Sequence, residues 1–397
     1  MTPALMAFIQ AHLSDDPDRL LLSASRYPEI DMPFVVAQIT ARRQIKEKLP
    51  TWYQQEQLLF PAKIAAEQCS SEQTALYKQQ LVTKEDTLCD LTGGLGIDSY
   101  YFSRRVKQVY YIERFPSYCE VARANMATLG ARNVVVLEGD STQWLDQLPA
   151  IDVFYVDPAR RGEGNKRMFA LSDCEPDLTQ LLPRLLAKAP RVIAKLSPMA
   201  DLRQTLALLP TTQAIHILSV KNECKELLFV IGREPRESAV PIHCVHLTKQ
   251  AASDECFVCS LEAEQQAASH LATTLRRYLY EPNASVLKAG AFKQVACQFP
   301  VEKLQVSSHL YTSDHYLDRF PGRRFEVDEV IPFHSKSCKQ LAGQSLQANV
   351  TTRNFPLTVE ALRKKCRIRE GGDIYLFATT GPKEEKLLIR THKVLEE

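Results

Sequence analysis

The chain has 397 residues, 45% hydrophobic and 24% charged, the balance of a globular protein large enough for more than one core. A formal charge of +2 is nearly neutral and gives no ground for whole-molecule attraction to nucleic acid, and no apolar run approaches membrane-spanning length. Eleven cysteines without a paired framework fit a reducing compartment. The amino terminus lacks the basic stretch and apolar centre of a secretion signal, so the expected location is the cytoplasm.

Residues 1–84 read as a helical region. Apolar residues recur at helical spacing in Leu5, Met6, Phe8, Ile9 and Leu13 and again in Phe34, Val35, Ala37 and Ile39, with Pro28, Pro33 and Pro50 as punctuation. Ser70-Ser71-Glu72 then opens a helix running to Leu81, a serine cap followed by an acid in the first turn. Between residues 85 and 234 the pattern becomes strands at 87–91, 108–112, 134–138, 152–156 and 192–196, with helices at 97–105, 117–129, 141–148, 177–188 and 199–208. That alternation predicts βα crossovers and a parallel sheet. Strands at 214–219 and 226–231 leave no room for a helix between them and must pair antiparallel. Five parallel βα units plus a reversed pair differ from the dinucleotide-binding fold, whose sixth strand stays parallel. Beyond Pro235, residues 261–280 read as largely helical. The last part predicts a helix at 357–366, a turn at Gly371-Gly372, and strands at 374–379 and 386–391.

The glycine-rich stretch Asp90-Leu91-Thr92-Gly93-Gly94-Leu95-Gly96 joins the first strand to the first helix. Glycines there admit positive φ and bare main chain, and the helix start adds free N–H groups. Ligands in an open parallel sheet sit at the carboxyl ends of strands. Acids stand at four successive ends: Asp90, Glu113 (23 positions on), Asp140 and Asp157. Glu113 suits two ribose hydroxyls, Asp140 an exocyclic adenine amine. Four carboxylates repel a diphosphate and favour a cationic cofactor. The run Gly94-Leu95-Gly96-Ile97-Asp98-Ser99 also lacks the third glycine of a dinucleotide fingerprint.

This ordered set resembles the class I S-adenosylmethionine (SAM) dependent methyltransferases. With Glu67 to Lys78, Asp157-Pro158-Ala159-Arg160-Arg161, Thr352-Arg353-Asn354-Phe355-Pro356 and Gly371-Gly372-Asp373, it is similar over nearly the whole chain to the subfamily with a carboxyl-terminal THUMP-like domain. The resemblance implies a Rossmann-like methyltransferase sheet at 85–234, an α+β linker module at 235–318 with a ferredoxin-like segment near 275–318, and a THUMP-like domain at 319–397. It implies S-adenosylmethionine held by Asp90, Thr92, Gly93, Gly94, Gly96, Glu113, Asp140 and Asp157. It also implies RNA as a partner, tRNA or rRNA included.

The chemistry is read at the end of the fourth strand. Asp157-Pro158-Ala159-Arg160 lacks the aromatic that stacks a target base in many amino-methyltransferases, and Lys195-Leu196-Ser197-Pro198 offers no cysteine nucleophile after strand five for attack through a pyrimidine carbon. A nitrogen target needs mainly positioning and loss of a proton. Asp157, Pro158, Arg160 and Lys195 are therefore the catalytic candidates, Asp157 holding the target group and Lys195 its polar partner. The loop from Arg160 to Arg167 carries four cations against one acid and reads as a lid or phosphate contact. Ser70 and Ser71 are caps first, with a lesser reading at the methionine end of the cofactor. A small-molecule or protein methyltransferase, or a cofactor-binding protein without catalysis, are the alternatives.

Cys256-Phe257-Val258-Cys259 tempts a zinc reading, but a strand there would turn the two thiols to opposite sides, and no second pair follows. His243 and His246 have the same difficulty. No metal and no membrane are expected. Residues 319–397 hold 15 Lys plus Arg against 10 Asp plus Glu, and Arg363, Lys364, Lys365, Arg367 and Arg369 cluster on or beside one helix. A basic tail of this kind fits RNA docking.

Overall fold

Three amino-terminal helices begin with the same device, a capping side chain followed by proline. Helices α1 (Pro3–Ala11), α2 (Pro17–Leu22) and α3 (Met32–Ile45) are capped by Thr2, Asp16 and Asp31, whose side chains accept from first-turn N–H groups. Ile9, Leu20, Met32, Val35 and Ile39 close their shared core. Helices α4 (Lys63–Gln68) and α5 (Glu72–Lys78) follow, the latter capped by Ser71. A second core joins Ala41, Ile45, Trp52, Phe60, Ala65, Ala66 and Ala75 to Leu95, Ile97 and Tyr101. The helical region is thereby packed onto the glycine turn and the helix it opens.

The computed structural model describes residues 1–61, 63–160, 171, 174–249 and 253–394, without the side chain of Arg160. These form two compact units, Met1–Gln213 with Leu228–Pro235, and Ala214–Leu227 with Arg236–Glu397.

In the first unit, strands β1 (Thr87–Asp90), β2 (Gln108–Glu113), β3 (Val134–Glu138), β4 (Val153–Val156) and β5 (Arg191–Leu196) are all parallel. Helices α6 (Ile97–Ser103), α7 (Pro116–Thr128), α8 (Leu178–Lys188) and α9 (Leu202–Leu208) make the connections. All four residues of β4 are buried, as expected for a strand covered on both faces. Strands β6 (Thr212–Val220) and β7 (Glu223–Gly232) are longer than their sequence pattern suggests, and each contributes residues to both units. Only Lys221 and Asn222 join them, at φ 51° and 58°, the left-handed pair of a tight hairpin. The strand order is β3-β2-β1-β4-β5-β7-β6. It is the expected α/β sheet of five parallel strands with a reversed pair.

Within the second unit, β8 (Ile242–Leu247) lies parallel to β6, and β9 (Glu255–Cys259) pairs antiparallel with β8. The helix expected from residue 261 to 280 is corrected: α10 (Leu261–Gln266) ends early, and β10 (Tyr278–Pro282) takes the far end. Local helix preference yields there to pairing on two sides, with Leu279 buried against Leu310 and Phe325. Helices α11 (Ala284–Ala289) and α12 (Phe292–Gln298) then precede β11 (Glu302–Lys303), β12 (Tyr311–Ser313) and β13 (Gly322–Pro332). After these come α13 (Ser335–Gly343), β14 (Asn349–Arg353), α14 (Val359–Cys366), β15 (Ile374–Thr380) and β16 (Lys386–Lys393). The strands form one sheet in the order β11-β12-β10-β13-β16-β15-β14. A Cβ on Gly322 would stand 2.1 Å from the Glu281 carbonyl oxygen, so β10 and β13 meet there only through glycine.

Candidate functional site

The glycine turn is built by its neighbours. Gly93 donates to the Ile112 carbonyl (2.9 Å), and a Cβ on it would fall 2.3 Å from the Tyr111 ring. The Tyr111 hydroxyl donates to the Gly94 carbonyl (2.6 Å). Gly94 and Gly96 take φ of 55° and 81°, and Gly96 caps α6 from the left-handed region. Glu113 accepts from Gly94 N–H and Phe115 N–H, one at each oxygen and both at 2.9 Å. Its carboxylate is thus aimed before any ligand arrives.

Asp90 is buried beneath the turn. One oxygen accepts from Thr92 N–H (3.0 Å), the other from the Ser99 hydroxyl (2.6 Å). Burial pushes its carboxyl up to about 7; the Ser99 and Thr92 hydrogen bonds resist that rise, while the charges of Asp98 and Asp157 add to it. Thr92 in turn accepts from the Asp157 N–H (2.8 Å), tying the ends of β1 and β4 together.

A cleft of about 150 Å³ opens over this turn. Its lining brings together Asp90, Thr92, Gly93, Gly94, Gly96 and Asp157 from among the residues expected at the site. Glu113 is not among the lining residues, but its Oε2 is bonded to Gly94, which is. Asp140 stands apart, exposed, with one oxygen accepting from Thr142 N–H (2.7 Å) and hydroxyl (2.6 Å). Pro158 follows Asp157 and is half-buried. Neither the Arg160 side chain nor the basic loop through Arg167 lies within the described residues.

Asp157, just past β4, and Lys195, near the end of β5, meet as an ion pair at 2.5 Å. Behind them lies a charged chain that sequence reasoning missed. Lys78, fully buried, pairs with Asp98 at 2.8 Å and donates to the Ser70 hydroxyl (2.7 Å). Asp98 also accepts from the Tyr155 hydroxyl (2.7 Å) and from Ser70 (2.8 Å), and Lys195 donates to Ser70 (3.3 Å). Burial pushes the Asp98 carboxyl up, but Lys78 and Lys195, with hydrogen bonds from Lys78 and Tyr155, outweigh it and hold the group below its ordinary range. One signal for Lys78 was present in the sequence, since Thr74, Ala75 and Lys78 share a helical face and all three are buried.

Gln68, Cys69 and Tyr118 also line the cleft. The Cys69 thiol donates to the Ala66 carbonyl (3.3 Å), and burial raises its pKa despite nearby Lys48 and Lys195. It is held as a thiol, the poorer nucleophile. Elsewhere, Cys256 is exposed and Cys259 buried on alternate faces of β9. Among the described residues no group of three or more His, Cys, Asp or Glu gathers where it could hold a metal ion. Nor is any described helix long and apolar enough to cross a membrane.

The strand order, the reversed hairpin and the carboxylate-lined glycine turn define a class I methyltransferase fold. Bare main chain at Gly94 and Gly96 together with acids on the cleft wall fit a cationic cofactor such as S-adenosylmethionine and disfavour a diphosphate. Residues 278–321 match the model of a ferredoxin-like domain, and residues 322–393 that of a THUMP domain-like family. The whole fold matches the crystal structure of a candidate methyltransferase from Porphyromonas gingivalis W83. That match is 36% identical and covers 99% of this chain and 98% of that one, with a TM-score of 0.89. The chain therefore belongs to the class I SAM-dependent methyltransferase family with carboxyl-terminal ferredoxin-like and THUMP-like segments.

Shorter matches reach an uncharacterized RNA methyltransferase of Halalkalibacterium halodurans, 28% identical over 39% of this chain. A protein-L-isoaspartate O-methyltransferase of Methanoregula boonei is 40% identical over 15%. The chain spans only 37% and 27% of the length of these two relatives.

Proposed function

We propose that the protein transfers a methyl group from S-adenosylmethionine to a nitrogen of RNA, with Asp157 and Lys195 at the reacting end of the cleft. The Asp157–Lys195 ion pair carries this reading. A carboxylate that lines the cleft, 36% exposed and clamped at 2.5 Å by an ammonium, suits holding a target N–H and accepting its proton. The cofactor, when bound, supplies an electrophilic methyl on a cationic sulfur; the chain supplies orientation and the proton acceptor. Asp90, Thr92 and the turn Gly93, Gly94 and Gly96 would hold the amino-acid end. Glu113, with an unshared pair left on each oxygen, would accept the ribose hydroxyls. Asp140 would accept the adenine amine. Pro158 would stiffen the approach, and Arg160 would meet the substrate.

Nitrogen is favoured over a pyrimidine carbon because, among the described residues, the one thiol lining the cleft is Cys69, whose pKa burial raises. RNA is favoured by the name of the Halalkalibacterium relative and by the basic tail. In this reading the modules at 235–318 and 319–397 dock the RNA, while 1–84 and 85–234 hold the chemistry. The eleven free thiols fit the cytoplasm.

Tritium transfer from labelled cofactor into total RNA and into protein extract tests the substrate class. Wild type should label RNA. Asp157→Ala should lose at least about 100-fold in rate, with cofactor affinity by calorimetry nearly unchanged. Labelling of protein instead of RNA refutes the substrate, and full turnover by Asp157→Ala refutes the role of that carboxylate.

A further inference from the structure

Ser70 is the meeting point of three charged side chains that come from distant parts of the chain. It sits between α4 and α5, is only 6% exposed, and lines the cleft. Its hydroxyl lies 2.8 Å from Asp98, 2.7 Å from Lys78 and 3.3 Å from Lys195. The proton positions follow from chemistry alone. Lysine ammonium groups only donate, so Ser70 must accept from both lysines and give its single proton to Asp98. The hydroxyl is then saturated, with one bond given and two received. Its direction is fixed by the Lys78–Asp98 pair, which has almost no access to water.

Stability does not account for this arrangement. A buried ion pair is often no better than an apolar pair of the same volume. What the arrangement does achieve is geometric. Lys195 is held from one side by Ser70 and from the other by Asp157 at 2.5 Å, so its ammonium cannot swing to solvent without breaking both. The segment carrying Ser70 is itself anchored, because Ala65, Ala66 and Ala75 on either side of it pack with Leu95, Ile97 and Tyr101.

We propose that Ser70 is a positioning residue for methyl transfer: it holds Lys195 against Asp157, so that the amino-terminal helical region completes the reacting end of the site. The alternation Lys78, Asp98, Lys195, Asp157, with Ser70 at its centre, transmits the rigidity of a buried pair to a carboxylate on the cleft wall. This rests on the reading of Asp157 as the group that meets the target nitrogen.

The test compares full-length wild type with Ser70→Ala, Ser70→Cys and Ser70→Thr. Cysteine keeps the volume with weak hydrogen bonding, and threonine keeps the hydroxyl. Four quantities are read: kcat and KM for tritium transfer into total RNA, calorimetric Kd for S-adenosylmethionine, and the rate at which N-hydroxysuccinimide acetate modifies Lys195, followed by peptide mass spectrometry. Ser70→Ala and Ser70→Cys should lower kcat about 100-fold, the scale of a misplacement near 1 Å. Kd should stay within about threefold and Lys195 should become about tenfold more reactive, each a change near or below 1.4 kcal/mol. Ser70→Thr should restore wild-type behaviour. Unchanged kcat in Ser70→Ala and Ser70→Cys overturns the proposal. If wild type labels no RNA, the RNA reading falls by itself, and Lys195 reactivity decides: a rise in both variants at constant Kd upholds the positioning role, and no rise overturns it.

Discussion

Replacing Asp90 by Asn should stabilise the protein, and by more at high pH than at low. The Asp90 carboxyl is fully buried and its pKa is pushed from 3.8 to about 7, chiefly by loss of water. A carboxyl raised in the folded state favours folding while protonated, so its contribution is complete below about pH 4 and is lost as pH climbs to about 7. Moving the group from 3.8 to about 7 corresponds to ~4 kcal/mol, of which ~2 kcal/mol is already lost at pH 5.5. Asparagine keeps the shape and does not ionise. Its carbonyl can accept from Thr92 N–H, and Ser99 can turn to accept from its amide. The advantage of Asp90→Asn should therefore grow by ~2 kcal/mol between pH 5.5 and 8.5 and level off above about pH 7. Urea unfolding followed by tryptophan fluorescence suits this measurement, since Trp52 and Trp144, the two tryptophans of the chain, lie in the same unit as Asp90. A stability difference that stays constant across that range would refute the reasoning. Ionisation of Asp90 should also strengthen binding of a cationic cofactor by wild type as pH passes about 7, and Asp90→Asn should show no such rise by calorimetry.

Gly93→Ala should cost about 1–3 kcal/mol, because its Cβ would overlap a buried Tyr111 ring that cannot move away; an unshifted melting curve and unchanged cofactor Kd would count against this. Glu281 is fully buried between Arg323, its partner on the adjacent β13, and Arg353 at the end of β14. Glu281→Ala should destabilise by about 3 kcal/mol, as expected when one partner of a buried ion group is removed, and differential scanning calorimetry measures it. In the basic tail, Arg363 pairs with Glu370 at 3.0 Å and is mostly covered, so charge reversal is better placed at exposed Lys364 and Arg367. Reversing both should reduce the slope of log affinity against log salt for total RNA by about 2; an unaltered slope would remove that helix from the docking surface.

Much of the methyltransferase sheet was legible because its signals are local. Glycines at 93, 94 and 96, an acid at each of four strand ends and a connection between residues 219 and 226 too short for a helix all act within a few positions. They announce turns, strand ends and a reversed pair without reference to anything distant. The positions at the cleft were legible in the same way for Asp90, Thr92 and Asp157. What they do there was not. Asp90 reads as a ligand but is engaged by its own turn, and only its burial sets its pKa. Ser70 reads as a cap and Asp98 as a first-turn acid, since each has a common local explanation. Their convergence with Lys195 depends on α4, α5 and α6 packing through one apolar core, a matter of long-range contact. The same holds at β10, where the helical pattern that opens at residue 261 gives way to pairing with two partner strands. Local chemistry thus determined the strand ends and the turn; tertiary packing alone decided which charges lose their water and meet, because desolvation is a property of what surrounds a side chain.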